Sequence, residues 1–365
     1  MEELRAQFPV LERVAYLNAG TNGPVPARAF EAAERSLREQ LEQGRSSKPW
    51  FDRQIERIDE LRARAARLLG ATQADVALTG STTDGINAVL HAIDIKPGDE
   101  ILTSDEEHPG VLGPLATARD TRGATVRVAP FDELPDALSE YTRVVVTSHV
   151  SWATGRLMEM EALAASDALV VLDGAQGLGA IPVDVRELGC DFYAASGQKW
   201  LCGPGGMGYL YARPELVPDL PAPWSGYHAM EWAEQALLPA LQPDARRLTT
   251  GFPVPHHVEW SHASLDVLEG PGIDRVYERA VGGAEGLASM LRNHGVAVAD
   301  RGASTLVSFE VPDPEAFSRQ AAEEGIVIRF LPGRPYARAS VGAWNTDEEL
   351  ERLADLAAEA AAAAA

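Results

Sequence analysis

The sequence predicts an α/β fold built on a mostly parallel sheet, followed by a smaller α+β domain. The segment 169–177, LVVLDGAQG, is an apolar strand that delivers Asp173 at its C-terminal end, where open α/β sheets place ligand groups. Further short strands with helical patterns between them are predicted upstream, at 76–79, 100–103, 125–128 and 143–147. Beyond about residue 255, two long helices precede strands near 305–311 and 326–329, a pattern typical of an α+β unit.

Composition narrows the class of protein. The chain has 365 residues, of which 45% are hydrophobic and 24% charged, enough for two domains with ample core. A formal net charge of −22 argues against nucleic acid or an anionic membrane as a partner, because no basic block is present to neutralise phosphates. The two cysteines, Cys190 and Cys202, form no CxxC motif, so we predict no metal site and a reducing compartment.

Residues 1–14 lack the apolar run of a signal peptide, and no stretch reaches the roughly 18 apolar residues that a membrane helix needs. We therefore expect a cytoplasmic protein. The stretch 218–243 is rich in proline, tryptophan and alanine and gives no readable pattern, and we expect a lid or an interface segment there.

The N-terminal part predicts a loop and two helices. The segment 16–26, YLNAGTNGPVP, is rich in turn residues, and its Asn18 and Gly20 can bring the backbone close to a ligand. Proline and glycine then delimit a helix over 26–44, and apolar residues at helical spacing predict a second helix over about 49–70.

The strand at 76–79 is followed by GSTTDGIN and a helix. Free N–H groups and the positive end of the helix dipole attract a phosphate at such a helix start, and the hydroxyl groups of Ser81, Thr82 and Thr83 add donors. Taken alone, the motif is also compatible with a simple helix cap.

Two other strand ends carry notable side chains. The strand 100–103 leads to SDEEHPGVLGPL, in which His108 lies just past the strand end. The strand 143–147 leads to SHVSWATG, in which Trp152 can shape a pocket. Each of these side chains alone is also compatible with ordinary packing.

The stretch 191–208, DFYAASGQKWLCGPGGMG, places Lys199 in a glycine-rich turn. This lysine follows Asp173 by 26 positions, and Gln176 lies three positions after that aspartate. A lysine amine forms a Schiff base with an aldehyde, and a carboxylate beside a pyridine nitrogen keeps that nitrogen protonated, so that the ring accepts electrons. The set therefore indicates a bound heteroaromatic aldehyde, pyridoxal 5'-phosphate.

The order of these motifs, a strand with DGAQ followed by SGQKW and a glycine-rich run, resembles the class V aminotransferase family of fold type I pyridoxal-phosphate enzymes. That family includes cysteine desulfurases, kynureninase and cyst(e)ine C–S lyases, and the likeness extends over nearly the whole chain. It implies a large three-layer α/β domain at 16–250 with a seven-stranded sheet, and a small α+β domain formed by 1–15 and 251–365. It also implies a homodimer with active sites at the interface.

The resemblance assigns each cofactor contact. In the family a Thr-Thr pair and a serine near the lysine hold the phosphate, a histidine lies flat over the ring, and a threonine reaches the phosphate of the neighbouring subunit. The corresponding residues here are Thr82, Thr83, His108, Asp173, Ala175, Gln176, Ser196, Gln198, Lys199 and Thr250. Lys199, Asp173 and His108 are the expected catalytic residues, and Gln198 stands where most relatives have histidine.

The substrate site follows from the closing motif, RFLPGRPYARASVGAWNTDEEL, which resembles that of the family. The resemblance implies that Arg338 binds the substrate α-carboxylate, for which a planar fork of donors is well suited, with Arg329 beside it. Trp152, Asn18 and Gly20 are expected to border the same pocket.

The motifs EHPG, SHVSWATG and GQKWLCGPGG look closest to the cyst(e)ine C–S lyases. We therefore expect β-elimination from cysteine, cystine or a related thio-amino acid, giving pyruvate, ammonia and a sulfur product. A class V aminotransferase or an isopenicillin N epimerase-like racemase is the alternative. A non-catalytic cofactor-binding protein is a third hypothesis, which the intact Lys199, Asp173 and Arg338 disfavour. Desulfurases carry a sulfur-accepting cysteine shortly before the carboxylate-binding arginine, whereas 330–337, FLPGRPYA, contains none.

Overall fold

The computed structural model describes residues 1–224, 226–232 and 240–364. Its helices are α1 (Glu2–Arg5), α2 (Ala27–Gln43), α3 (Lys48–Leu68), α4 (Thr82–Ala92), α5 (Pro109–Arg122), α6 (Glu161–Ala164), α7 (Val185–Leu188), α8 (Pro255–Glu269), α9 (Ile273–Asn293), α10 (Pro314–Glu323) and α11 (Asp347–Ala364). Its strands are β1 (Ala15–Tyr16), β2 (Val76–Thr79), β3 (Glu100–Ser104), β4 (Thr125–Ala129), β5 (Thr142–Ser148), β6 (Leu169–Asp173), β7 (Phe192–Ser196), β8 (Gly208–Ala212), β9 (Met230–Trp232), β10 (Ala240–Leu241), β11 (Leu306–Glu310), β12 (Ile326–Val327), β13 (Arg329–Phe330) and β14 (Tyr336–Ser340). Part of the lid or interface segment expected at 218–243, namely 225 and 233–239, lies outside the described residues.

A seven-stranded sheet forms the centre of the molecule, in the order β2, β8, β7, β6, β5, β3, β4. Strand β8 runs antiparallel to both of its neighbours, and the other adjacent strands are parallel. The predicted seven-stranded, mostly parallel sheet is therefore confirmed. Because β2, β3, β5, β6 and β7 run in one direction, their carboxyl ends meet at one edge of the sheet.

Helices cover both faces of this sheet, which explains why its central strands lack an alternating polar pattern. Consecutive residues of β7 enter different cores: Phe192 packs in a cluster with Ile86 of α4, and Tyr193 packs in a cluster with Leu61 of α3. Both aromatic rings are fully buried. The result is the three-layer α/β architecture that the sequence predicts.

A smaller antiparallel sheet, β11, β14 and β13, lies in the C-terminal part and shares a third core with α9, α10 and α11. Strand β1 pairs in parallel with β12 and so joins this part of the fold, whereas the preceding Leu4 and Phe8 pack in the core that contains Leu61 of α3. The prediction of one strand over 326–329 is wrong. The chain instead forms β12 and β13, which pair with β1 and β14, and Ile328 separates them.

Among the residues that the structure describes, no helix is both long and apolar enough to cross a bilayer. The same residues contain no group of histidine, cysteine, aspartate or glutamate side chains that could hold a metal ion.

Candidate active site

The carboxyl edge of the central sheet carries the first site residues. Strand β6 ends at Asp173, opposite Ser148 of β5. The Asp173 side chain is buried, and its Oδ1 accepts a hydrogen bond of 2.8 Å from the N–H of Ala175. Burial raises the pKa of Asp173, while the nearby Lys199 amine and the Ala175 N–H oppose that rise. A carboxylate so placed is suited to hold a protonated ring nitrogen.

Lys199 lies in the turn that joins β7 to β8. A backbone hydrogen bond of 2.9 Å from Gly203 to Gly197 closes this turn around the lysine. Burial lowers the pKa of Lys199 to about 8, with Asp173 opposing the shift and Arg338 adding to it. A substantial fraction of the amine is therefore neutral near physiological pH, as a nucleophile or a proton acceptor requires.

The start of α4 brings Thr82 and Ser196 together. Ser81 caps the helix, and its hydroxyl accepts a hydrogen bond of 3.1 Å from the N–H of Asp84. The Oγ of Ser196 accepts a hydrogen bond of 3.0 Å from the Thr82 N–H and lies 2.7 Å from Thr82 Oγ1. Thr83 follows in the first helical turn. Two adjacent hydroxyl groups at the positive end of a helix form a site for an anion such as phosphate.

His108 caps α5 and faces Trp152. Its Nδ1 accepts a hydrogen bond of 3.0 Å from the N–H of Gly110, so the neutral ring carries its proton on Nε2. The rings of His108 and Trp152 meet edge to face, with centroids 5.2 Å apart. Burial lowers the pKa of His108 to about 4, and the positive charge of Lys199 adds to this effect. The imidazole is therefore neutral at pH 7.

The two acids that precede this histidine are buried; the Glu107-His108 pair resembles a pattern of the family, but the sequence does not predict the bonding of either acid. The carboxylate of Glu107 accepts hydrogen bonds of 2.6, 2.9 and 2.7 Å from the hydroxyl groups of Ser104, Thr147 and Ser148. Burial raises the pKa of Glu107 to about 7 despite these bonds. Glu106 is buried beside it. The sequence does show both acids directly after an apolar, buried strand. Because carboxylates are rarely buried without bonded partners, that position could have indicated a hydrogen-bonded pair of acids.

Gln176 connects the sheet edge to the N-terminal loop. Its amide donates to the carbonyl of Gly20 at 2.9 Å and accepts from the indole of Trp200 at 3.0 Å. One N–H of the amide remains for a ligand oxygen. Gly20 lies close to Arg338, because a Cβ atom at this position would be 3.1 Å from Nη2 of Arg338 and 2.8 Å from Oγ of Ser340.

Arg338 and Arg329 face each other across the β13–β14 hairpin, where they form a register pair. Arg338 is fully buried and donates one hydrogen bond, of 2.7 Å, to the carbonyl of Trp152. Its Nε and Nη2 atoms have no partner in the described part of the chain. The guanidinium of Arg329 lies 5.8 Å from the centroid of the Trp152 ring and donates to Thr21 at 3.4 Å.

Burial lowers the pKa of Arg338 to about 9, and Arg329 lowers it further. Within 1–224, 226–232 and 240–364, neither arginine has a carboxylate partner, although most other arginines with buried guanidinium groups do. A buried cation without an anion is unfavourable unless a ligand supplies the charge. The geometry therefore suits a substrate carboxylate.

Asn18 and Thr250 make their hydrogen bonds within the chain. The Oδ1 of Asn18 accepts from Thr21 at 2.7 Å, and its backbone forms a bridge with Ser340. Thr250 donates to Oδ2 of Asp84 at 2.9 Å, close to the start of α4. The reach of Thr250 to the phosphate of a partner subunit stays a prediction.

The residues present fit pyridoxal phosphate. Three features lie at the carboxyl edge of the central sheet: a helix start suited to an anion, the Asp173 carboxylate and the Lys199 amine of lowered pKa. Arg338, which has no carboxylate partner among the described residues, lies on the hairpin that faces this edge. Several buried polar atoms also lack partners among the described residues, including Gln198 Oε1 and Trp152 Nε1. Buried polar groups are normally hydrogen-bonded, so this set points to a ligand.

This architecture and site define a fold type I pyridoxal-phosphate enzyme. The family model described as aminotransferase class-V matches residues 15–353, so the chain belongs to the class V aminotransferase family. A cysteine desulfurase of Dickeya dadantii (strain 3937) is 31% identical over 301 residues, covering 76% of this chain and 72% of the relative.

Two solved structures of C-DES are similar in fold. One is a mutant with glycine covalently linked to the pyridoxal-phosphate cofactor, at 25% identity, a TM-score of 0.88 and coverage of 97% of this chain and 98% of that one. The other is the cystine C–S lyase C-DES with its reaction product cysteine persulfide, at 26% identity, a TM-score of 0.88 and coverage of 96% and 99%. The predictions of the family, the fold type, an enzyme and the cofactor are confirmed. The roles of individual residues stay predictions.

Proposed function

We propose that this enzyme cleaves the Cβ–S bond of cysteine, cystine or a related thio-amino acid by β-elimination. The hairpin that carries Arg338 is the observation that supports this choice. Strands β13 and β14 are joined by a short turn in which Leu331 donates to the carbonyl of Tyr336 at 3.0 Å. Arg334 at its tip donates to the carbonyl of Asp105 at 2.7 Å. A tight, tethered turn without cysteine stands where a desulfurase needs a sulfur-accepting loop.

The two cysteines of the chain are poor substitutes for such a residue. Cys190 and Cys202 are buried free thiols. Burial raises the pKa of both, so little thiolate forms at neutral pH, and the thiolate is the nucleophile. Sulfur therefore departs as part of the substrate.

The residues take the following roles in the proposal. When bound, pyridoxal phosphate supplies an aldehyde for an amine and a ring that accepts electrons from a carbanion at the substrate Cα. Asp173 keeps the ring nitrogen protonated, and Thr82 with Ser196 binds the phosphate. Arg338 orients the substrate carboxylate, and Lys199 removes the Cα proton.

The proposed reaction balances without an external oxidant or reductant. The electron pair released at Cα forms a bond to Cβ as the Cβ–S bond breaks, and the sulfur leaves with the bonding pair. Water then releases the carbon skeleton as pyruvate and the nitrogen as ammonia. For cystine, one molecule of substrate and one of water give one each of pyruvate, ammonia and cysteine persulfide.

The proposal is tested by incubating the pyridoxal-phosphate-loaded protein with cystine and measuring pyruvate, alanine and sulfur products. We expect pyruvate in equal amount to the sulfur product, and we expect the Cys190→Ser, Cys202→Ser double variant to keep most of its activity. Stoichiometric alanine with loss of turnover in that variant would instead establish a desulfurase. A keto acid formed only with an amino acceptor would indicate an aminotransferase, and a D-amino acid would indicate a racemase.

We also infer that the chain comprises a large domain at 16–250 and a small domain formed by 1–15 and 251–365. The β1–β12 pairing and the separate core of α9, α10 and α11 support this division, whereas Leu4 and Leu265 of the small domain pack in the same core as Leu61. Limited proteolysis should cut first near 250–254, where Val254 is exposed. Early cleavage inside a core strand would contradict the boundary.

A homodimer is part of the same proposal. The face of α2 exposes Phe30, Leu37 and Leu41 to 59%, 49% and 85%, and such an apolar stripe is typical of a contact surface. Light scattering should give a mass near twice 39.1 kDa, and Leu37→Glu with Leu41→Glu should lower it. We place the protein in the cytoplasm, because both of its cysteines are free thiols.

A further inference from the structure

The turn 151–156, which follows β5 and carries Trp152, is anchored on its sheet side by Glu106. The Glu106 carboxylate accepts hydrogen bonds from the hydroxyl groups of Ser151 and Thr154, the second at 2.7 Å. It also forms an ion pair of 2.8 Å with Arg156. One buried carboxylate thus contacts both ends of the turn, and Glu106 is only 4% exposed.

On its other side, the turn presents backbone carbonyl groups to the C-terminal sheet. The carbonyl of Trp152 accepts the 2.7 Å hydrogen bond from Nη1 of Arg338, and that of Ala153 accepts a 2.5 Å hydrogen bond from Ser308. Ser308 and Arg338 are register partners in β11 and β14. The turn therefore contacts Arg338 directly and its neighbouring strand through Ser308.

The orientation of Arg338 depends on this contact. In the described part of the chain, the guanidinium of Arg338 donates a hydrogen bond to the Trp152 carbonyl through Nη1, while its Nε and Nη2 atoms have no hydrogen-bond partner. A planar guanidinium binds a carboxylate well only when two of its N–H groups point at it. A shift of the Trp152 carbonyl would therefore turn the binding edge away from the substrate.

We propose that Glu106 is a positioning residue for substrate binding. By holding the turn 151–156 through its hydroxyl groups, Glu106 fixes the Trp152 carbonyl, which in turn directs the free edge of Arg338 toward the substrate α-carboxylate. The inference rests on the proposed function for the assignment of Arg338 to a carboxylate, and it does not depend on how sulfur leaves.

The test uses Glu106→Gln in the pyridoxal-phosphate-loaded protein. Glutamine keeps the size of the side chain but removes the charge and one of its two oxygen acceptors, so the two hydroxyl groups and Arg156 cannot all be satisfied. L-Alanine is the probe, because it has the amine and carboxylate of a substrate without a leaving group, and its binding is followed by cofactor absorbance. We expect its Kd to rise about tenfold, since errors in a supporting contact displace the group that it positions. The KM for cystine should rise with it, while kcat should change little.

Glu100→Gln is the matched control. Glu100 is the first residue of β3, whereas Glu106 follows the end of that strand; Glu100 likewise pairs with an arginine, Arg127 at 2.8 Å, and accepts from a hydroxyl group, that of Thr142 at 2.6 Å. We expect no change in the Kd for alanine in this variant. An equal rise of the Kd for alanine in Glu100→Gln and Glu106→Gln would show a general effect of losing an arginine-paired carboxylate and would contradict the inference.

Two further measurements separate positioning from a structural role. The Kd for ethylamine, which lacks the carboxylate, should be the same in wild type and in Glu106→Gln. In an Arg338→Met background, Glu106→Gln should add no further loss of alanine binding. An equal loss for ethylamine, or independent losses in the double variant, would overturn the inference. If the wild type binds alanine but does not cleave cystine, the proposed function fails while the inference is still decided by the alanine data.

Discussion

Replacing Arg338 by methionine should weaken substrate binding and, at the same time, stabilise the protein free of substrate. Methionine keeps much of the side-chain volume but removes the charge and the donors. The reason for the second effect lies in the surroundings of Arg338, which is fully buried, has no carboxylate partner in the described residues and faces Arg329. Replacing an unpaired buried charge by an apolar group is generally stabilising.

The pKa of Arg338 gives the magnitude. The fall of the Arg338 pKa from the ordinary arginine value to about 9 corresponds to a penalty on the charged form of about 5 kcal/mol. Below pH 9 the folded and unfolded chains both hold this proton, so the penalty is fully present at neutral pH. Lost packing and the lost bond to Trp152 offset part of the gain, and we expect a net stabilisation of about 2 kcal/mol.

Thermal unfolding of the protein without substrate measures this effect, and Tm should rise by roughly 4 °C, because each kcal/mol shifts Tm by about 2 °C in a large chain. Substrate kcat/KM should fall by about 30-fold or more, as expected for a lost charge-assisted pair. Arg62→Met is the control. Arg62 is also buried, but its guanidinium is bonded to Asp59 and to the carbonyls of Val76 and Gln73, so this variant should unfold at a lower temperature. A lower Tm and unchanged kinetics in Arg338→Met would refute the reasoning.

Further predictions concern the cofactor and the approach to Arg338. Lys199→Ala should abolish turnover and the absorbance of covalently held cofactor, and Asp173→Asn should lower the rate by orders of magnitude; a fully active Asp173→Asn would disprove the electron-sink role. Because the neutral amine is the nucleophile and burial lowers the pKa of Lys199 to about 8, cofactor incorporation into the apoprotein should speed up from pH 6.5 to 9 and then level off. A rate independent of pH over that range would contradict this. Gly20→Ala should raise KM by about tenfold, since its Cβ would lie within 3.1 Å of Arg338, Gln176 and Ser340, and Gly113→Ala, where nothing lies within 4 Å, is the control.

The central sheet and its ligand-bearing edge were predictable because local patterns determine them. The predicted strand at 76–79 coincides with β2, and the strand that delivers Asp173 coincides with β6. Apolar runs buried on both faces are typical of strands in a parallel sheet, and polar residues at the carboxyl ends of such strands gather at one edge. The start of α4 directly after β2, where we predict phosphate binding, follows from the same logic.

The C-terminal part was harder to predict, because pairing partners distant in the sequence decide its structure. The stretch 326–329, IVIR, looks like one strand, but β12 pairs with β1 from the N-terminus and β13 pairs with β14. No local pattern encodes that division. The role of Glu106 is equally non-local, since the hydroxyl groups that it binds lie 45 and 48 positions further along the chain.

The register of the β13–β14 hairpin brings two positive charges together. Arg329 and Arg338 could both be assigned to the substrate pocket from the sequence, but their direct opposition on β13 and β14 is a property of the fold. Like charges directly opposite each other destabilise a pair of strands, and burial of Arg338 increases that cost. An anionic ligand lowers both costs, because one carboxylate neutralises a charge that the protein leaves unpaired. Substrate binding and the stability of the hairpin are therefore coupled, so a carboxylate ligand should raise the Tm of the wild type more than that of Arg338→Met.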